Sequence, residues 1–102
     1  MRLTSSHVEV IRVSALKNFG QAARVWLFGS RVDEQRRGGD IDLYIEPELQ
    51  DPAELVDAKL HFLKELHEKL GEQKIDVIIR RAAVKDELPI FRIARETGVQ
   101  LL

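Results

Sequence analysis

Cysteine is absent from the 102-residue chain, which excludes a disulfide framework, a thiolate zinc site and a cysteine nucleophile and suits a reducing cytoplasm. No apolar run approaches the roughly 20 residues that span a bilayer, and Met1-Arg2-Leu3-Thr4 lacks the apolar stretch of a secretory signal. The expected location is therefore cytoplasmic, with no membrane partner. Charge of one sign is also missing. Seven basic and eight acidic residues precede position 52, and nine of each follow, so no basic stripe marks a general nucleic-acid surface. Neither a GxxxxGK[ST] phosphate loop nor a GxGxxG dinucleotide fingerprint occurs.

What remains is a chain that is 44% hydrophobic, without repeats, low-complexity stretches or an interdomain linker. Residues 1–102 read as a single globular domain, large enough for one core and too small for a separate substrate lobe.

Periodicity supplies the elements. Ser6 and Glu9 fit a capping box, and Val8, Ile11, Ala15 and Phe19 recur at helical spacing up to Gly20. Arg24 to Phe28 is continuously apolar after its first residue and predicts a strand buried on both faces, ending at Gly29. The charged stretch from Arg31 to Gly39 predicts a short helical turn and a loop, and Ile41 to Glu46 predicts the next strand. Asp51-Pro52 offers an N-cap and a first-turn proline for a long helix. Leu55, Ala58, Phe62, Leu66 and Leu70 form its apolar stripe, Glu65 and Lys69 can pair, and Gly71 stops it. A third strand is expected from Ile75 to Arg80, a final helix from Asp86 to Glu96, and a short edge strand from Val99 to Leu102. The order implies an α/β fold, a small mixed β-sheet flanked by helices.

Chemistry concentrates in Gly29-Ser30 and Asp40-Ile41-Asp42. Residues two apart on a strand share a face, so Asp40 and Asp42 converge while Ile41 and Leu43 turn to the core. Two carboxylates on one face repel unless a cation joins them, and hard oxygen donors suit Mg²⁺. Asp76 is a third acid in an otherwise core-like strand. If that strand neighbours the Asp40/Asp42 strand, the three could hold two ions about 3.5–4 Å apart for an in-line phosphoryl displacement. Gly29 lets the backbone bend toward a ligand, and Ser30 with the following turn can face an anion.

Gly29-Ser30, Asp40-Ile41-Asp42 and the later Asp76 together resemble the polymerase-β-type nucleotidyltransferase superfamily, most closely its minimal nucleotidyltransferases (MNT). The likeness runs from the first helix to Arg95-Glu96-Thr97-Gly98-Val99, with Gly39 standing where a serine often precedes the first aspartate. The resemblance implies a polymerase-β-like fold and Mg²⁺-dependent transfer of a nucleoside monophosphate from an NTP, with ATP as the expected donor of AMP. Gly29 and Ser30 would bind the triphosphate, Asp40 and Asp42 would bridge two Mg²⁺ ions, and Asp76 would ligate the ion nearer the acceptor hydroxyl and assist its deprotonation. It further implies a co-encoded helical HEPN protein as partner, with the chain acting as antitoxin by modifying a tyrosine of that toxin.

Two other readings stand beside this one: a binding module that neutralises the HEPN partner sterically with unused acids, and a carboxylate-metal nuclease. A solvated strand end remains the plain alternative for Asp40 and Asp42, as does an exposed strand end for Asp76. Trp26 reads as core and Glu46 as a strand-end charge, while His7, His61 and His67 read as surface residues. Exposed apolar residues on the long helix and at the carboxyl end leave a homo-oligomer open.

Overall fold

The computed structural model describes residues 3–29, 40–71 and 73–102. The expected turn and loop at Arg31 to Gly39, and Ser30 with them, lie outside the described residues.

Helix α1 spans Ser5–Phe19, and its cap is Thr4, whose hydroxyl accepts from the His7 N–H at 3.1 Å. The helix thus starts two residues before the Ser6/Glu9 box would put it. Both hydroxyls can cap; extended backbone at Thr4 gives it the role. Strand β1 is Arg24–Phe28 and β2 is Ile41–Glu46, followed by α2 at Pro52–Leu70. Asp51 caps α2 by accepting from the Glu54 N–H at 2.9 Å, with Pro52 in the first turn as the sequence indicates. Strand β3 is Ile75–Ile79, α3 is Pro89–Thr97 and β4 is the pair Val99–Gln100. Helix α3 begins three residues later than expected, because Leu88 precedes a proline and is held extended.

The strands form one mixed four-stranded sheet in the order β3-β2-β1-β4. β1 runs antiparallel to both β2 and β4, whereas β2 and β3 are parallel, and α2 makes the crossover that a parallel pair requires.

Alternation along the strands gives the sheet two unlike faces. Val25, Leu27, Ile41, Leu43, Ile45, Ile75 and Val77 point into the main core with Ile11, Ala15 and Phe19 of α1 and the predicted stripe of α2. Phe19 and Phe62 meet edge to face at 5.2 Å. Glu65 does not pair with Lys69 along its own helix as the spacing suggests: it pairs with Lys17 at 3.3 Å and accepts from Asn18 and the buried Ser14, both at 3.2 Å, so it joins α2 to α1.

On the opposite face Trp26, Phe28 and Tyr44 pack with Phe91 and Ala94 of α3. This explains the uninterrupted apolar run of β1, since α1 and α2 cover one side of it and α3 the other. Trp26 is core, as expected. Helix α3 packs on β1 and β2, leaving Asp76 of β3 exposed. No helix among the described residues is long and apolar enough to cross a membrane.

Candidate active site

Asp42 is the second residue of β2 and Asp76 the second of β3, and the parallel register sets them directly opposite each other. Neighbouring strands lie about 4.8 Å apart, so the two carboxylates share one face at the amino ends of adjacent strands. The neighbour relation that the three-acid arrangement required is therefore present.

The two acids interact. Asp42 is half-buried, and its carboxyl is held above the ordinary carboxylate range, first by burial, then by the charges of Asp76 and Asp40. Lys74 acts in the opposite direction. A like-charged pair of this kind is relieved by a proton or by a cation.

Asp40 immediately precedes β2, and its Oδ2 lies 3.6 Å from the Lys74 Nζ. The backbone supports that contact, since the Ile41 N–H donates to the Lys74 carbonyl at 3.0 Å. Lys74 was not among the residues singled out from sequence. Its signal was its place two residues before Asp76, which gains meaning only once β2 and β3 are known to be in register.

Gly29 directly follows β1 with φ +77°, a conformation that side chains disfavour. A Cβ built there would collide with the Asp42 Oδ2, so the missing side chain gives that carboxylate its room. Ser30, the other half of the expected phosphate turn, lies outside the described residues, as does Gly39.

The donor set suits a hard divalent cation. Asp42 and Asp76 offer oxygen ligands only, their mutual repulsion is relieved by positive charge, and Mg²⁺ commonly takes just one or two protein carboxylates. Among the described residues, no group of three His, Asp or Glu side chains is arranged to hold a metal. Asp40 faces Lys74 instead.

Comparison with known families decides the class. The profile described as "Nucleotidyltransferase domain" matches residues 11–97, which takes in both sheet faces, Gly29 and all three acids. The chain belongs to this family. Nucleotidyl transfer is accordingly its class of reaction, and such domains use an NTP and a divalent metal. No curated protein matches the sequence of this nucleotidyltransferase.

Glu46, read from sequence as a strand-end charge, has a more definite place. It accepts from the buried Tyr44 hydroxyl at 2.7 Å and faces Arg95 of α3 at 3.9 Å. Arg95 also donates to Glu87 at 2.7 Å, and Glu87 in turn faces Arg80 at 3.4 Å. This network fastens α3 over the strand that carries Asp42.

Proposed function

We propose that this nucleotidyltransferase moves AMP from ATP onto an acceptor hydroxyl, namely a tyrosine of a helical HEPN toxin, and so acts as a cytoplasmic antitoxin. The observation that supports the reading is the in-register pair of Asp42 and Asp76 beside the side-chain-free Gly29.

In this reading Asp42 and Asp76, joined by Asp40 once it turns from Lys74, would hold two Mg²⁺ ions, which would supply positive charge to the α-phosphate oxygens and to the reacting oxygens. Gly29 and Ser30 hold the triphosphate by backbone N–H groups and the serine hydroxyl. The acceptor hydroxyl attacks the α-phosphorus, the bond to the bridging oxygen breaks, and pyrophosphate leaves. Asp76, the exposed acid of the pair, takes the hydroxyl proton. No covalent intermediate with the protein is needed, because the chain's contribution is position and charge.

One observation favours the second reading, a steric antitoxin: Lys74 already neutralises Asp40, as it would in a site that no longer recruits metal. Transfer of label from α-labelled ATP, with γ-labelled ATP as control, separates the two in the presence of Mg²⁺ and the co-encoded helical protein. Label on that protein from the α position alone, lost in Asp42→Asn, supports transfer. A stable complex without label, formed equally by wild type and Asp42→Asn, supports steric binding.

A further inference from the structure

The face that carries Asp42 and Asp76 has a second charged row at its other end. Arg24 of β1 pairs in register with Glu46 of β2, and the Arg80 N–H extends the ladder beyond β3 by donating to the Ile45 carbonyl at 3.0 Å. Four residues separate Glu46 from Asp42 along β2, or about 13 Å at strand rise. Beside this row is a concave pocket of about 310 Å³ lined by Arg24, Arg80, Arg81, Glu46, Ala82 and Val84, among others.

Its charges are unevenly matched. Arg80 is fixed: its guanidinium lies 4.9 Å from the Phe91 ring centroid, faces Glu87 and donates to the Val84 carbonyl at 3.4 Å. The Glu46 carboxylate is already engaged by the Tyr44 hydroxyl and Arg95. Among the described residues, neither Arg24 nor Arg81 has an ion-pair partner. Two uncommitted guanidinium groups and one pre-positioned guanidinium thus share one concavity with a single, occupied carboxylate.

We propose that this pocket is a binding site for a phosphate dianion, separate from the site at the acids. Guanidinium groups meet phosphate oxygens with paired, charge-assisted hydrogen bonds, and a pocket of this volume is at the small end of ligand sites. Arg80, held by Phe91 and Glu87, loses little freedom on binding, while Arg24 and Arg81 close on the anion from the two flanking segments. The phosphate comes either as the free ion or as the monoester of a nucleotide.

Calorimetric titration in EDTA, where the acids repel anions, tests the site with inorganic phosphate and with AMP as probes. The variants are Arg24→Gln and Arg81→Gln, with Arg92→Gln, which removes the same charge from the exposed face of α3, as control. Thermal melts confirm that each variant is folded. The expected result is binding by wild type, weakened about tenfold or more by each pocket substitution, with Arg92→Gln unchanged; tenfold corresponds to about 1.4 kcal/mol. Tighter binding of AMP than of phosphate, lost in the same variants, assigns the site to a nucleotide monoester; equal binding assigns it to the free ion. Equal weakening by Arg92→Gln, or no binding of either probe to wild type at about 10 mM, overturns the proposal.

Discussion

Asp42 and Asp76 stand opposite each other in the register of two parallel strands, and the charge of Asp76 adds to burial in disfavouring ionisation of Asp42. Ionising Asp42 in the metal-free site therefore costs the fold some stability. A carboxyl whose pKa is raised on folding contributes stability below its unfolded value, 3.8 for Asp42, and loses it as pH climbs through the higher folded value.

Asp42→Asn is therefore expected to melt at a higher temperature than wild type at neutral pH in EDTA. In the same variant, transfer should fall by about a hundredfold or more, the range seen when a group that stabilises transition-state charge is removed. Calorimetry and the label assay check the two halves independently. A variant that melts lower would show that the pair is not under charge strain.

Gly29→Ala and Gly71→Ala form a matched test of space against backbone. Both glycines have positive φ, +77° and +86°, but a Cβ at Gly71 meets nothing within 4 Å, whereas at Gly29 it meets the Asp42 carboxylate. Each should cost about 1–3 kcal/mol for a positive-φ backbone that side chains disfavour. Only Gly29→Ala should also depress transfer, and urea titration alongside the label assay distinguishes the effects.

Acid stability should depend on Glu65. Its pKa is lowered from 4.5, first by the Asn18 hydrogen bond and then by Lys17 and Ser14. The stabilisation it gives is present above pH 4.5 and is lost as pH falls through the lower folded value. Glu65→Gln should flatten that part of the stability profile, measured by denaturation at a series of pH values.

Tyr44→Phe removes the hydroxyl that donates to Glu46 while keeping the ring between Trp26 and Phe91. A loss of about 1 kcal/mol is expected, the usual worth of such a bond. Hydrogen exchange should show the change concentrated in α3.

The sequence was most legible where a local signal and a burial pattern agreed. Asp51-Pro52, the stripe from Leu55 to Leu70 and Gly71 define α2 without reference to anything distant. Competing local signals were harder to resolve: Thr4 and Ser6 are both good caps, and only the backbone at Thr4 separates them. Relations across strands were least accessible. The meeting of Asp42 with Asp76 hung on strand order, and Lys74 beside Asp40 or Glu46 beneath Arg95 depends on register and on which face α3 covers. A residue type marks the capacity for chemistry, but its partner is set by topology.

Placing both acids on hydrogen-bonded neighbouring strands makes their separation a property of the sheet. Widening the gap would require breaking the β2–β3 ladder, and with it the core contacts of Ile41, Leu43, Ile75 and Val77. Changes in segments outside the sheet can alter what is admitted to the acids without altering the acids themselves. Control over such a centre falls to occupancy, by whichever cation, nucleotide or protein surface reaches a pair whose spacing is already set.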